Sequence, residues 1–390
     1  MTTQPAATFS PGQRLRSLTA VTAGACIAGA TFGLTMPLLA LILEGQGVDP
    51  TWTGLNAAAA SLGILMFAFL VPRVLDRLGV LPAMYASVAA ACAMFLLLPL
   101  FPGLGSWFVL RFLVGAAIAI HWIGSETWLI AITEKHDRGR IVAIYMTFLS
   151  AGFAGGPLLI GFVGTEGWTP FLVSAGLLAA MALPLSLAHN CVPRLPPRSP
   201  AAFRDTFRIS PLILVAALLT GFTDLAKISL FPVYIIRIGL DQDTAVLMLS
   251  AILAGMVVMQ LPIGWLADKV DRRRLLVLFG AVLLLIPSVF PWLLAHPILL
   301  WPVLVLWGGI SFGMYTVALM LIGDRFPPAA LASANAAFVT IVEAGGMTGP
   351  IVAGAGMDAF GPDGFLIVLA AAAGLFLLVA AGCSIRRVPD

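Results

Sequence analysis

Apolar residues in this chain come in long unbroken runs, separated by short clusters rich in charge, proline or glycine. Dividing the chain at those clusters predicts twelve runs, roughly 18–43, 52–72, 81–101, 106–132, 140–164, 169–188, 211–237, 244–267, 274–294, 298–323, 331–356 and 363–384. Most approach or exceed the roughly 20 residues a helix needs to cross a hydrocarbon core. Strands of a membrane barrel would instead alternate apolar and polar residues over about 10 positions, and these runs are continuous. The first run follows Arg14 and Arg16. It exceeds the roughly 7–15 residues of a signal-peptide core and has no convincing cleavage site, so it is read as the first span.

Composition supports the same class. The chain is 60% hydrophobic and 10% charged, against about 25% charged in ordinary globular chains, so this much apolar surface cannot be hidden inside a soluble globule. The expected fold is an all-α polytopic membrane protein. Three of the four cysteines (Cys26, Cys92, Cys383) fall in apolar runs and Cys191 in a basic loop, with no CxxC spacing. They are read as packing residues, with no disulfide and no metal site implied.

The net charge of +3 is no nucleic-acid footprint, because the basic residues follow topology. With the N-terminus cytoplasmic, the inner segments hold 18 of the 21 Lys and Arg residues, and the outer loops hold only Arg237. Glu44, Asp49, Glu166, Asp241, Asp243, Asp358 and Asp363 lie on the outer side. This positive-inside bias makes both termini cytoplasmic. The predicted organisation is a tail (1–17), a six-helix bundle (18–188), a Pro- and Arg-rich linker (189–210), a second six-helix bundle (211–384) and a tail (385–390).

The two halves echo each other. The charged tract Gly264-Trp-Leu-Ala-Asp268-Lys269-Val-Asp-Arg272-Arg-Arg274 has a counterpart 192 residues earlier (268 − 76), at Pro72-Arg-Val-Leu-Asp76-Arg77-Leu-Gly79. In the fifth run Gly152, Gly156, Pro157 and Gly161 map onto Gly345, Gly349, Pro350 and Gly354 of the eleventh, at an offset of 193 (345 − 152). Six plus six spans is a repeat architecture used by secondary transporters. Glycines four apart share a helix face and let backbones approach closely. Pro157 and Pro350 each remove a backbone hydrogen bond and favour a bend. These positions are expected to serve as a hinge or as tight packing.

Five charged residues fall inside spans: Arg111, Glu126, Asp224, Lys227 and Glu343. A charge at mid-bilayer costs on the order of 3 kcal/mol, so such residues pair internally or serve transport. Asp224 and Lys227, at i,i+3, share a face and can form an ion pair. At about 100° per residue, Trp122 lies about 20° and Glu126 about 60° from Arg111, with His121 at the edge of that face. Arg111 and Glu126 have Val305 and Met320 at the matching places of the second half, which favours a site role over a fold role. Glu343 is a candidate proton carrier or a neutral hydrogen-bonding acid. His121 is a candidate relay or a packing histidine.

These residues resemble the major facilitator superfamily over essentially the whole chain. Asp76, Arg77 and Gly79 match its Gly-x-x-x-Asp-Arg/Lys-x-Gly-x-Arg loop, although Pro72 replaces the first Gly and Val80 the last base. The second copy keeps Gly264, Asp268, Lys269, Arg272 and Arg274, with Asp271 where Gly is expected. Arg111-Phe-Leu-Val-Gly115 is similar to the family's Arg-x-x-x-Gly pattern, and the Gly/Pro pattern of the fifth span resembles a motif of drug–proton antiporters. The tract Ser125-Glu126-Thr127-Trp128 resembles a less characterised bacterial subgroup.

The resemblance implies a central cavity formed by spans 1, 4, 7 and 10. That cavity would be lined by Arg111, Trp122, Glu126, Asp224 and Lys227, with Tyr234 and Tyr315. It also implies a cytoplasmic latch in which Asp268 faces the start of span 5 at Arg138 and Arg140, holding an outward-open state. Span 1 lacks the acid that many antiporters carry there. The functional expectation is a monomeric secondary transporter in a bacterial inner membrane, exporting a small organic, possibly amphiphilic, solute by alternating access. Its partners would be the solute and the lipid bilayer, with no nucleic acid and no cofactor beyond a proton gradient. Uptake or facilitated diffusion on the same fold is the alternative, and a transport-inactive receptor a remote one. No GxSxG, HExxH, Walker or paired-cysteine site points to an enzyme.

Overall fold

The computed structural model describes residues 10–68, 70–133, 138–192, 211–325 and 328–385, and within these the side chains at 72, 130, 138–140, 142–143, 323–325, 328–337 and 383–385 are not described. The tether between the two predicted bundles is thus described only as far as Val192, and Lys135, Arg386 and Arg387 lie outside the described residues. Among the described residues there are sixteen α-helices, a short 3₁₀ turn at His189–Cys191, and no strand.

The helices in the first part are α1 (Pro11–Gly45), α2 (Pro50–Ala68), α3 (Val71–Leu78), α4 (Val80–Leu97), α5 (Leu104–Ile132), α6 (Arg138–Gly155), α7 (Leu158–Val163), α8 (Thr169–Ala180) and α9 (Ala182–Leu187). The second part holds α10 (Pro211–Arg237), α11 (Gln242–Val258), α12 (Gln260–Lys269), α13 (Arg272–Leu294), α14 (Pro297–Arg325), α15 (Pro328–Phe360) and α16 (Gly364–Ile385). Eleven segments are long and apolar enough to cross a membrane singly, and α11 with α12, bent by 44°, makes a twelfth.

Four predicted spans are each broken in two, and proline accounts for the position of the breaks. A proline ring clashes with the carbonyl four residues earlier and cannot donate a backbone bond. Pro72, Pro184 and Pro262 lie four residues past Ala68, Ala180 and Val258, the last residues of α2, α8 and α11. Pro157 sits in the gap between α6 and α7. Its repeat partner behaves differently: Pro350 lies inside an unbroken α15, so the helix is interrupted at this repeated proline in the first half only. Along α15 the flanking Gly345 and Gly349 press against the backbone of α10. Transmembrane helices tolerate an internal proline where neighbours support the freed backbone.

Two compact units emerge, residues Met1–Thr35 with Leu62–Arg198, and Met36–Ser61 with Ser199–Asp390. The division falls within the expected linker, but the connected ends of α1 and α2 belong to the second unit. There a methyl on Gly54 would strike the Pro350 carbonyl, and one on Gly354 the Pro50 carbonyl. Glu44 accepts a hydrogen bond from Arg237 Nε at 2.7 Å. The Asp358 carboxylate accepts from the Thr51 backbone N–H at 2.9 Å and also from its hydroxyl, capping the start of α2.

The duplication is visible in backbone contacts within each half. Gly29 lies against the Leu149 carbonyl in the first unit as Gly221 lies against Val342 in the second. Gly152 meets Cys26, and Gly345 meets Leu218; Gly156 meets Ala30, and Gly349 meets Phe222; Gly63 meets Phe112, and Gly255 meets Val305. The members of each matched pair are 192 or 193 residues apart (221 − 29; 345 − 152). Without a hydrophobic drive between helices in lipid, such close approach by small residues is the principal source of association.

Candidate functional site

The charged tracts that mark the repeat sit at helix ends. Gly79 adopts φ +83° where α3 turns into α4, a left-handed backbone that a side chain disfavours. At the departure noted in the second copy, Asp271 is the N-cap of α13, and its side chain accepts from the Arg274 N–H at 2.9 Å. The Gly expected there could also start a helix but would not supply that acceptor. Asp268 is 73% exposed and 3.6 Å from Arg272 on the next turn, while Lys269 Nζ stands 3.9 Å from the centre of the Trp265 ring. Asp76 and Arg77 are exposed. The side chains of Arg138 and Arg140, the expected partners of Asp268, lie outside those described. Around Gly264 there is open space.

The intramembrane charges of the second unit converge. On α10, Lys227 Nζ and Asp224 Oδ1 are 2.9 Å apart. Lys227 is 1% exposed and Asp224 13%. The Nζ geometry does not meet that of a directed hydrogen bond, so the contact is chiefly Coulombic. Ser311 of α14 donates to the same carboxylate oxygen and is 3.2 Å from the Thr223 hydroxyl. Trp307, one turn earlier on α14, places its ring centre 5.6 Å from Lys227 Nζ, within cation–π range. The acid therefore keeps a sliver of accessibility while its lysine is sealed in. Ser311 and Trp307 were not singled out from the sequence; they become legible only once α14 is known to face α10.

Tyr234 does not join this cluster. It is fully buried among Phe231, Phe290 and Phe365, stacked on Phe365 at 5.6 Å, with its hydroxyl 3.4 Å from Asp363. Its place near the outer end of α10, two turns past Lys227, puts it among these rings. With Asp363 and Trp301 it borders an open cavity of about 550 Å³ at that end of the unit. Tyr315 stacks on Phe312 and meets Phe338 edge-on at 5.0 Å. Glu343 is half-buried on α15.

In the first unit α5 carries all four candidates. Arg111 is buried. Trp122 Nε1 donates to Glu126 Oε1 at 2.9 Å, one turn on, and the Trp122 ring packs edge-on against Phe32 of α1. His121 points instead into the bundle, 5% exposed. The Ser125–Trp128 tract is a local hydrogen-bonding module. Ser125 donates to the Trp122 carbonyl and pairs with the Tyr145 hydroxyl at 3.0 Å. Thr127 donates to the Ile123 carbonyl. Trp128 Nε1 donates to Ser17, which donates to the Cys191 carbonyl, tying α5 to the start of α1 and the end of the sixth span. Among the described residues no three His, Cys, Asp or Glu side chains gather as a metal site requires.

Comparison with known proteins agrees with this architecture. A model of the Major Facilitator Superfamily matches residues 21–342, and again 213–390. An uncharacterized MFS-type transporter of Bacillus subtilis, YfkF, is 28% identical over 346 residues, covering 86% of this chain and 87% of its own. The uncharacterized MFS-type transporter YcaD of Escherichia fergusonii is 26% identical over 338 residues, 85% of this chain and 86% of its own. Among solved structures, the nucleoside transporter NupG superposes with a TM-score of 0.76 at 13% identity, covering 97% of this chain and all of its own. With the family model spanning nearly the whole sequence and the twelve-span, twofold-repeated architecture in place, this chain belongs to the Major Facilitator Superfamily.

Proposed function

We propose that the chain is a secondary transporter that exports a small organic, amphiphilic solute by alternating access, driven by protons. The observation that carries this reading is the Asp224–Lys227 pair, a charge pair on one transmembrane helix with the acid partly accessible and the base sealed. Protonation of Asp224 would neutralise the partner of Lys227 and leave a cation in a low-dielectric interior. Occupation by solute or return of the acid to its ionised form would relieve that cost, which links proton and solute at one place. Trp307 and Ser311 add an aromatic face and a hydroxyl beside the pair, suited to a solute with both apolar and polar parts. Arg111 and Glu126 supply charge in the first unit.

Other parts of the proposal rest on family and relatives. YfkF and YcaD come from bacteria, so the reading takes the chain to act in a bacterial cytoplasmic membrane, as a monomer and without enzymatic activity. Flux in proteoliposomes under imposed pH gradients tests it, with candidate cations, anions, sugars and lipophilic drugs first screened by thermal shift. Export-direction flux should follow the gradient and lose that dependence in Asp224→Asn. Flux indifferent to the gradient would remove proton coupling, and flux driven only inward would replace export by uptake.

A further inference from the structure

The interior of the first unit contains a cavity of about 20 Å³, bordered by Thr31 and Phe32 of α1, His121, Trp122 and Ser125 of α5, and Tyr145 of α6. That is room for one water molecule. His121 Nδ1 is buried at this cavity without a hydrogen-bond partner among the described residues. A donor count around it leaves a place for one water. Ser125 Oγ gives its proton to the Trp122 carbonyl, so in the Ser125–Tyr145 contact Tyr145 must be the donor. The Tyr145 oxygen is then left as an acceptor, and an unprotonated His121 Nδ1 is another. Two acceptors cannot bond each other; a water has two protons to give.

We propose that this cavity is a binding site for a single water that donates to His121 Nδ1 and to Tyr145 Oη. The bound water holds His121 neutral, with its proton on Nε2, and links α5 to α6 beneath α1. His121 is then held by water and does not carry the coupled proton; this last step alone rests on the proton-coupled reading above. Leaving a buried nitrogen without a hydrogen bond is unfavourable, which is the drive for occupancy.

Radiolytic hydroxyl labelling in ¹⁸O-water tests the site without any ion gradient. Bound water generates radicals in place, so Tyr145 and Met181, both buried at the cavity, should take up label, while Trp128, buried but bonded to Ser17, should not. His121→Leu should abolish the label at both. If that variant does not fold, loss of Met181 label in Tyr145→Phe serves the same purpose. Nitrogen-15 spectra of the His121 ring, identified by its disappearance in His121→Asn, should show a neutral imidazole protonated at Nε2 with a hydrogen-bonded Nδ1. Labelling of Tyr145 and Met181 no faster than Trp128, or a ring protonated at Nδ1, would overturn the proposal. A dry cavity would leave the Asp224 reading intact, and gradient-independent flux would leave the water site intact.

Discussion

Removing one member of the Asp224–Lys227 pair should destabilise the protein far more than removing both. At 2.9 Å the gross attraction is about 6 kcal/mol for an effective dielectric constant near 20. Desolvating two ions costs several kcal/mol each, so the net worth of the intact pair is close to zero. Asp224→Asn keeps a hydrogen-bonding partner for Ser311 but leaves Lys227 with only the Trp307 face. That contact is worth at most about 2 kcal/mol. Lys227→Met keeps the length of the side chain and strands the carboxylate. Each single change should therefore cost about 3–5 kcal/mol, and the double variant should return to near the parent. Unfolding of the purified protein in sodium dodecyl sulfate, followed by tryptophan fluorescence, yields the four free energies of the cycle. A coupling of about 6 kcal/mol or more, the sum of the two single costs, is expected; one below about 1 kcal/mol, or a double variant weaker than both singles, would refute the account of a self-neutralising buried pair.

Four further outcomes follow from the geometry. Gly349→Ala drives a methyl into the Phe222 carbonyl and should cost about 1–3 kcal/mol in the same unfolding assay, whereas Gly264→Ala, in open space within α12, should gain about 0.5–1 kcal/mol. Arg237→Met removes the tie to Glu44, so amide exchange in the connected ends of α1 and α2 should speed up, while exchange in α13 stays unchanged. Asp271→Ala should lower stability by about 1 kcal/mol through loss of the cap, and Asp271→Gly by only a few tenths, read from unfolding curves. Hydrogen bonds from the Thr244 hydroxyl and N–H lower the Asp241 pKa. The folded pKa lies below the unfolded one, so its contribution is present above the unfolded value and is lost as pH falls through the folded one. A carboxyl carbon titration placing Asp241 at or above an ordinary aspartate would contradict this.

Most of the span count was legible from the apolar runs because in lipid every backbone polar group must be satisfied within a helix. The breaks were less so. The helix is interrupted at Pro157, whereas Pro350, in the same Gly/Pro pattern, lies in a continuous helix, a difference the local pattern does not record. The Asp224–Lys227 pair followed from i,i+3 spacing, since both partners ride one helix. Ser311 and Trp307 required knowing which face of α14 meets α10. That Tyr234 lies apart from the Asp224–Lys227 cluster, at the cavity by Asp363, was not legible because a phenol in an apolar span reads the same whichever partner its hydroxyl meets. Within the Ser125–Trp128 tract only Glu126 had a role assigned from the sequence, although each of its side chains is hydrogen-bonded in the fold.

The Glu44–Arg237 pair is a departure from the internal symmetry of this chain. At the offset of α1 and α10 (221 − 29 = 192), Glu44 corresponds to Ile236 and Arg237 to Gly45. A contact that followed the repeat would have a charged counterpart, yet the reciprocal positions, Gly45 and Ile236, carry no charge. The glycine contacts recur in both halves. The ion pair occurs once, so the end of α1 is tied to α10 by a contact that the repeat does not duplicate.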